Sequence, residues 1–313
     1  MKRILLTWLA TVIALNVVPL AVIGLPGAPE EKPDGAIYDE KNDLISVEDS
    51  ETGEVVSMPF RDYIIGAAAG EMPAAYDYEA LCAQALCSRT LALYLAGYYA
   101  DGGETAISTD PAKHQAYMSV EEMKEKWGDS FETYYKKLCK AVDEVSGYLV
   151  TYDGKAALTV FHAISPGVTE RAENVWHGEL PYLRGVESAW DKEAPGFSSS
   201  YTVGEEELCE KLGVTKRDGE ELFGEFSRSE AGTVLSVQIG GKSFTGLEIR
   251  RALGLRSAVF TVSDSEKEYT FSVSGYGHGV GMSQYGANCL AKEGKTWREI
   301  IAYYYPGTQI SAR

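Results

Sequence analysis

The chain has 313 residues and 45% hydrophobic content, enough for one large or two medium domains whose cores need no metal or disulfide cross-links. Its formal net charge of -17 at pH 7 argues against a broad phosphate-binding surface, because nucleic-acid affinity is built from clustered Lys and Arg. Nucleic acid is therefore not an expected partner.

An apolar segment begins the chain. Lys2 and Arg3 precede a nearly continuous apolar run over residues 4–25. At about 1.5 Å per residue, this run is long enough to cross the hydrocarbon core of a membrane. We expect an uncleaved membrane anchor over residues 1–25; a cleaved signal peptide is the alternative, although its apolar region is usually shorter. With the two cations retained on the cytoplasmic side, the rest of the chain is predicted to be extracytoplasmic.

A linker and an α+β region follow the predicted anchor. Residues 26–44 begin with PGAPEEKPDG, whose prolines, glycines and acids predict a linker. The region 45–313 mixes helical periodicity with pairs of short strands and shows no internal repeat. The predicted class is therefore α+β, with helices and antiparallel hairpins.

Turn signals locate the hairpins, and helical spacing locates the helices. The predicted hairpins turn at Thr52-Gly53, Asp153-Gly154 and Gly240-Gly241, and two more strands lie in AVFTVSDSEKEYTFSVSG. The predicted helices cover residues 60–69, 78–96 and 120–145, and a loop covers residues 108–117. Gly97 is the expected C-terminal cap of the second helix, and Thr296 with Glu299 forms a capping-box pattern that begins the last one.

The run AAAGEMP, Ala67 to Pro73, places a single carboxylate, Glu71, among small residues. Gly70 allows a ligand to approach the backbone closely, while Pro73 cannot continue a helix and restricts Met72 to extended conformations. We expect Glu71 at a helix end, unshielded and available for chemistry. The alternative is a solvated surface glutamate.

In the next predicted helix, Arg89 is the only formal charge between Ala80 and Gly97. An arginine in a helix of Ala, Leu and Cys either reaches water or meets an anion, because an unpaired buried charge is costly. Glu71 is the candidate anion.

Three ordered motifs span most of the chain. The first, MPFRDYIIGAAAGEMPAAYDYEALCAQALCSRTLAL, contains Glu71 and Arg89. The second is FHAISPGVTERAENVWHGELPYLRGVES, Phe161 to Ser188. The third is the glycine-rich, histidine-bearing GYGHGVGMSQYGANCLAKEGKTWREIIAYYYPGT, Gly275 to Thr308. In this order they resemble the motifs of the stage II sporulation protein D family, from about Met58 to Thr308.

The resemblance implies a lytic transglycosylase that cuts peptidoglycan glycan strands between N-acetylmuramic acid and N-acetylglucosamine and leaves a 1,6-anhydro end. One carboxyl group with a pKa raised toward neutrality suits this chemistry. We assign that role to Glu71. The resemblance also implies a glycan-binding groove in which Arg89 binds the substrate or orients Glu71. The other predicted substrate-binding residues are His114, His162, Ser165, His278 and Tyr285.

The residues themselves leave alternatives open at these positions. His278 lies in GYGHGVG, where it either contacts a ligand or holds a tight turn by hydrogen bonds. His162 and Ser165 do not form a nucleophile pair, because an i, i+3 spacing on a strand places them on opposite faces. Aromatic rings either stack on a sugar or pack in the core, and both alternatives apply to Tyr285, Trp176 and Tyr304.

No metal or other cofactor is expected. The five cysteines are odd in number and contain no CxxC pair, which argues against a full disulfide framework and leaves a single pairing open. Some members of the resembled family hold zinc with a His and cysteines around an HQxY segment, here His114, Gln115 and Tyr117. This loop contains no cysteine, so zinc is kept only as an alternative.

The resemblance implies a partner amidase, which strips the stem peptides from the glycan during engulfment in endospore formers. Arg89 is then suited to bind the exposed lactyl carboxylate.

Three positions depart from the family pattern: Cys82 replaces a common lysine, Pro166 a usual glycine and Tyr276 a common tryptophan. Relatives described as amidase enhancers supply the main alternative, a glycan-binding protein that stimulates a hydrolase without cutting. An anchored structural scaffold is a third interpretation.

Overall fold

The computed structural model describes residues 37–99, 105–176, 178–217 and 219–313. The predicted anchor over residues 1–25 lies outside the described residues, as does the first part of the predicted linker. The chain forms two compact units. The described part of the first unit contains residues 37–99, 105–160 and Ala287–Arg313, and that of the second contains residues 161–176, 178–217 and 219–286.

The described residues form helices and mostly antiparallel strands, which confirms the predicted α+β class. The strands are β1 (Tyr38–Asp39), β2 (Leu44–Glu48), β3 (Val55–Pro59), β4 (Ile107–Ser108), β5 (Tyr148–Tyr152), β6 (Lys155–Ala156), β7 (Phe161–His162), β8 (Ser198–Gly204), β9 (Phe223–Arg228), β10 (Val234–Ile239), β11 (Lys242–Phe244), β12 (Phe260–Ser265), β13 (Glu268–Ser274), β14 (Met282–Ser283) and β15 (Gln309–Ala312). The helices are α1 (Phe60–Glu71), α2 (Tyr78–Tyr98), α3 (Val120–Trp127), α4 (Phe131–Val145), α5 (Glu205–Leu212), α6 (Gly246–Leu253), α7 (Gln284–Lys292) and α8 (Trp297–Tyr304). Short 3-10 turns cover Gly128–Ser130, Ala172–Asn174 and Ala189–Glu193.

The described residues of the first unit form two sheets. In one, β1, β2 and β3 are antiparallel neighbours and β4 pairs with β2 in parallel. Strand β1 falls inside the predicted linker, so this sheet begins before the predicted boundary at residue 45. In the other sheet the order is β15-β5-β6. The hairpins predicted at Thr52-Gly53 and Asp153-Gly154 are confirmed, and Asp153 and Gly154 both have positive φ (49° and 75°), as tight hairpin turns require.

Helix α2 forms the centre of the first unit. Its Ala- and Leu-rich sequence favours the helix, and the Asp77 side chain begins it by accepting the N–H of Glu79. The helix packs against α1, α4, α8 and β5. Cys82 and Cys87 are fully buried in it as free thiols, and burial raises the pKa of both to about 12.

By length and composition alone α2 is also long and apolar enough to cross a membrane. However, 72% of its most apolar window is buried inside the protein, which is typical of a core helix. No other helix in the described part of the chain meets the same criterion.

Three predicted helix boundaries differ from the structure. Helix α1 continues to Glu71, two residues beyond its predicted end. Helix α2 continues to Tyr98, because Gly97 keeps a helical backbone instead of the left-handed conformation of a C-terminal cap. The predicted helix over residues 120–145 is interrupted at Gly128, whose φ of 49° ends α3 and leads through a 3-10 turn into α4. The capping box of Thr296 and Glu299 at the start of α8 is confirmed.

The second unit contains two three-stranded antiparallel sheets, in the orders β11-β10-β9 and β12-β13-β8. The hairpin predicted at Gly240-Gly241 and the strand pair β12–β13 are confirmed. Their buried faces form one core with Leu208 of α5 and Ile249 of α6. A separate parallel pair joins β7 to β14, with Ser283 opposite His162. This pair brings the second and third sequence motifs together.

A face of α1 without side chains controls the packing of a loop in the first unit. Gly66 and Gly70 are one helical turn apart, and the chain around Tyr117 lies directly on them. A Cβ added at Gly66 would lie 2.1 Å from the Tyr117 ring, and one at Gly70 would lie 2.9 Å from the Ala116 carbonyl carbon. The Met118 N–H also donates to the Gly66 carbonyl oxygen at 3.0 Å. We call Gly66 and Gly70 the glycine face of α1.

We expect Gly70→Ala to destabilise the protein, with Gly97→Ala as its matched control. Both glycines lie in helices, so each exchange gains about 1 kcal/mol of helix propensity. Nothing lies within 4 Å of a Cβ at Gly97, whereas the Ala116 backbone must move to admit one at Gly70. Thermal unfolding should show a Tm lowered by roughly 3–8 °C for Gly70→Ala and unchanged or raised for Gly97→Ala. Equal melting of the two variants would contradict the close packing at Gly70.

Candidate functional site

Glu71 is the last residue of α1, as predicted. Pro73 prevents the helix from continuing, and Met72 adopts the extended backbone that a residue before proline prefers, with φ -123° and ψ 138°. The expectation of an unshielded carboxylate is wrong, because only 5% of Glu71 is exposed. The small residues of α1 admit the loop around Ala116, and this loop covers the carboxyl group.

A backbone N–H donor holds the carboxyl group of Glu71. The Ala116 N–H donates to Glu71 Oε1 at 2.7 Å. Burial raises the pKa of Glu71 from its ordinary 4.5 to about 8, while the hydrogen bond from Ala116 opposes the shift. Most molecules therefore carry a proton on Glu71 at pH 7. A carboxylic acid kept protonated by burial is suited to general acid catalysis.

Gln115 directly precedes the residue that binds this carboxyl group, and sequence analysis missed it as a separate site residue. Its Nε2 donates to the Tyr63 hydroxyl at 3.3 Å and to the Ser88 carbonyl oxygen at 3.1 Å. Its Oε1 is buried and accepts no hydrogen bond from the residues that the structure describes. Burial, and next the charge of Glu71, raise the pKa of Tyr63. Gln115 thus fixes the start of the loop whose next residue binds Glu71.

His114 uses both ring nitrogens inside the protein. The Ser108 N–H donates to its Nδ1 at 2.9 Å, so the proton of the neutral ring lies on Nε2, which is 3.5 Å from the Tyr99 hydroxyl. Burial lowers the pKa of His114 to about 4, so the ring is neutral at pH 7. These contacts support a role in holding the loop.

The residues around His114 do not fit a zinc ion. Zinc sites of this kind need several converging Cys or His ligands, and no cysteine lies in this loop. Among the described residues, no group of three or more His, Cys, Asp and Glu side chains is arranged to hold a metal. No step of the chemistry is therefore assigned to a metal.

Arg89 lies far from Glu71. Its guanidinium group is stacked over the Phe60 ring, 4.9 Å from the centroid. Phe60 begins α1 and Glu71 ends it, so at 1.5 Å per residue the two are about 16 Å apart along the helix axis. Burial lowers the pKa of Arg89, and Asp43 opposes this shift. The geometry does not support the hypothesis that Arg89 orients Glu71.

In the second unit, His162 and His278 lie together, with ring centroids 5.8 Å apart. The Val280 N–H donates to His278 Nδ1 at 3.0 Å, and His162 Nδ1 lies 3.1 Å from the Val280 carbonyl oxygen. A carbonyl only accepts, so His162 carries its proton on Nδ1 and His278 carries its proton on Nε2. Burial lowers the pKa of His162 to about 4 and that of His278 well below its ordinary value. Both rings are neutral at pH 7.

Burial limits what these side chains can touch. His162 has no exposed surface, so the predicted direct contact with a substrate is not available to it in this structure. His278 is 8% exposed and holds the Val280 turn by a hydrogen bond, which supports the structural alternative. Trp176 packs against His278 and is buried, and Tyr304 is fully buried, so both are core residues.

Ser165 belongs to a buried network around Asp191. Its N–H donates to Asp191 Oδ1 at 3.0 Å, and its hydroxyl oxygen accepts the Gly167 N–H at 3.1 Å. The hydroxyl groups of Ser188 and Ser283 donate to the same carboxyl group. Burial raises the pKa of Asp191 to about 6, and the three hydrogen bonds oppose the shift. Ser165 is fully buried, so it too supports the site instead of reaching a ligand directly.

Tyr285 is the half-buried member of the predicted site residues in the second unit. Its N–H donates to the Ala163 carbonyl oxygen at 3.1 Å, and its hydroxyl donates to the Glu193 carbonyl oxygen at 3.4 Å. The ring packs against a small core cluster that includes Ile164 and Tyr276. Its exposed part is available for a contact with a ligand.

The chain resembles several known proteins. The family model described as "SpoIID: Stage II sporulation protein" matches residues 48–152. Stage II sporulation protein D of Bacillus subtilis (strain 168) is 42% identical over 260 residues, which cover 82% of this chain and 76% of the relative. The protein of the same name from Bacillus amyloliquefaciens is 38% identical, with 82% and 75% covered. An "Amidase enhancer" of Bacillus subtilis (strain 168) is 26% identical over 304 residues, covering 79% of this chain and 40% of that relative.

We expect Glu71→Gln to stabilise the protein at neutral and alkaline pH. The folded pKa of about 8 lies above the ordinary 4.5, so the folded state binds more protons between these values and loses stability as the pH rises through this window. Gln cannot ionise and can still accept the Ala116 N–H. Each pKa unit is worth about 1.4 kcal/mol, so the gain should reach the order of a few kcal/mol above about pH 8.

Denaturant unfolding of the parent and of Glu71→Gln between about pH 5 and about pH 9 measures this difference. The two proteins should be nearly equal at the acidic end and diverge as the pH rises. A difference that is independent of pH would show that the pKa of Glu71 is not raised.

Proposed function

Because this chain belongs to the stage II sporulation protein D family, we propose that it is a lytic transglycosylase that cleaves peptidoglycan glycan strands with Glu71 as both acid and base. The observation that carries the proposal is the buried carboxyl group of Glu71, whose pKa is raised to about 8. A protein that only binds glycan has no need of a carboxylic acid held protonated in this way.

In the first step, the loop around Ala116 moves away from the buried carboxyl group of Glu71, which then donates its proton to the glycosidic oxygen between N-acetylmuramic acid and N-acetylglucosamine. The bond between this oxygen and the anomeric carbon breaks, and positive charge develops on the sugar ring. An acid whose pKa lies near the working pH is protonated and still transfers its proton readily. The pKa of about 8 satisfies both requirements.

In the second step, the Glu71 carboxylate removes the proton of the muramic acid's own 6-hydroxyl while that oxygen attacks the anomeric carbon. The product is a 1,6-anhydro ring, and Glu71 ends the cycle protonated. Burial makes the carboxylate a stronger base than a solvated one, because desolvation disfavours its charge. No second carboxylate is needed, since the nucleophile belongs to the substrate.

We propose glycan stripped of its stem peptides as the substrate, supplied by a cell wall amidase that acts together with this protein in sporulation. Similarity to a protein named amidase enhancer supports a connection to such an amidase. The apolar run over residues 4–25 supports anchoring of the protein in the cell membrane with the catalytic part outside.

In the second unit, we assign the direct contact with the glycan to Tyr285, whose exposed ring surface suits a sugar face. His162, Ser165 and His278 shape the surrounding backbone from buried positions. In the first unit, His114 holds the loop that covers Glu71. Arg89 has its guanidinium on Phe60 and stays a candidate for binding the lactyl carboxylate.

The second candidate function is a glycan-binding enhancer of an amidase that does not cut the glycan itself. The 26% identical amidase enhancer favours it, because that relative covers 79% of this chain. The two functions differ in their dependence on Glu71. An enhancer retains its effect when Glu71 is replaced, whereas a transglycosylase loses its products.

We expect the soluble part, residues 31–313, to release anhydro-ended fragments from peptide-free glycan strands, as measured by mass spectrometry. Glu71→Gln should lower the rate of release by roughly 10²–10⁴-fold, the usual contribution of a general acid and base. The matched control is Glu125→Gln, which makes the same exchange at an exposed position on α3 and should cleave like the parent. Glycan binding by the parent without any anhydro fragments would favour the enhancer.

The rate of cleavage should fall as the pH rises through about 8. Only the protonated form of Glu71 begins the reaction, and this form disappears above its pKa. Initial rates at subsaturating glycan, measured across this range, should decline tenfold per pH unit at the alkaline end. A rate that stays constant to about pH 10 would remove Glu71 as the acid.

A further inference from the structure

A single 3-10 turn, Ala189–Glu193, organises the backbone around Tyr285 in the second unit. We propose that Asp191 on this turn is a positioning residue for glycan binding, which holds Tyr285 in the orientation that contacts the sugar. The inference rests on the proposed function, because the ligand is taken to be a glycan strand. Asp191 itself has no exposed surface and therefore acts through its neighbours.

Asp191 connects three segments that are far apart in the sequence. Its Oδ1 accepts the Ser165 N–H at 3.0 Å and the Ser283 hydroxyl, and its Oδ2 accepts the Ser188 hydroxyl. Ser165 lies just after β7, and Ser283 is the last residue of β14. The carboxyl group thus joins the ends of the two parallel strands to the 3-10 turn.

The connection continues from Ser283 to Tyr285. The Ser283 hydroxyl oxygen accepts the Gly286 N–H at 3.2 Å, which fixes the first turn of α7 around Tyr285. The Tyr285 hydroxyl donates to the carbonyl oxygen of Glu193, the last residue of the same 3-10 turn. Both ends of the Tyr285 residue, backbone and phenol, are therefore tied to the turn that carries Asp191.

The chemistry of Asp191 indicates that its carboxyl group fixes the arrangement of the backbone around it. A buried carboxyl group costs free energy, and well-packed apolar residues usually serve stability as well or better. Its carboxyl group accepts hydrogen bonds from the Ser165 N–H and from the hydroxyls of Ser188 and Ser283, and these short donors hold it in one orientation. A fully satisfied polar network of this kind specifies one arrangement of the backbone segments that it joins.

The test uses the soluble part, residues 31–313, and measures binding of peptide-free glycan strands by isothermal titration calorimetry. Ser283→Ala removes the link between Asp191 and the Tyr285 turn. Ser229→Ala is the matched control, since the Ser229 hydroxyl donates to another buried carboxyl group of this unit, Glu170, which is not part of the hydrogen-bond chain from Asp191 through Ser283 to Gly286. Asp191→Asn keeps an oxygen for Ser165 and Ser283, and Ser188 can turn to accept from the amide.

We expect Ser283→Ala and Asp191→Ala each to raise the Kd for glycan about tenfold or more. The Kd of Asp191→Asn and that of Ser229→Ala should stay within about threefold of the parent value. In cleavage assays Ser283→Ala should raise KM with little change in kcat, a separation that a loss of stability alone would not produce. Ser283→Ala carries the test if Asp191→Ala does not fold. A folded Ser283→Ala that binds glycan like the parent overturns the inference.

Glu71→Gln separates this inference from the proposed function. It should bind glycan like the parent and fail to cut it. If the parent binds glycan, loses this binding in Ser283→Ala and releases no anhydro fragments, the transglycosylase proposal fails and the positioning role of Asp191 stands. If the parent binds no glycan, both fail.

Discussion

The close contact between the glycine face of α1 and the loop around Ala116 is the constraint on which the first unit's candidate site depends. Because Gly66 and Gly70 carry no side chains, the loop lies against the helix backbone, and one contact has two opposite effects on Glu71. It removes water from the carboxyl group, which raises the pKa, and it supplies the Ala116 N–H, which lowers it. Burial prevails, since one neutral donor replaces only part of the lost hydration.

In the second unit, buried polar side chains hold the backbone around the candidate site. His162 and His278 bind the two backbone groups of Val280, one as a donor and the other as an acceptor. Asp191 gathers three donors around the ends of β7 and β14. These groups serve the site from positions that a ligand does not reach, and a half-exposed tyrosine is left at the surface. In the proposed function, the buried residues shape the site and Tyr285 contacts the glycan.

Local signals in the sequence predicted much of the fold. Paired turn residues such as Asp153-Gly154 located the hairpins, and Pro73 located the end of α1, because these residues restrict their own backbone. The resemblance in three motifs predicted the family, and the parallel pair β7–β14 explains why two of those motifs occur together. The prediction that Gly97 caps α2 was wrong, since glycine permits a C-terminal cap without requiring one.

The burial of the site residues could not be predicted in the same way. Whether Glu71 or Ser165 is covered depends on segments distant in the sequence, and no periodicity records such contacts. Gln115 and Asp191 were missed for the same reason: each is a common polar residue in a polar stretch, and its importance arises only from the partners that the fold brings to it. Arg89 is the opposite case: it shares a sequence motif with Glu71 but is distant from it in the structure.

The buried thiols of α2 have a consequence for the conditions under which the protein can fold. Only a thiolate reacts with oxidants or disulfides, and Cys82 and Cys87 are both inaccessible and held protonated. Once the first unit has formed, its central helix is inert to the redox state of its surroundings. These two thiols of the folded unit therefore stay unchanged in a reducing cytosol and in an oxidising exterior, and no thiol oxidoreductase is required to pair them.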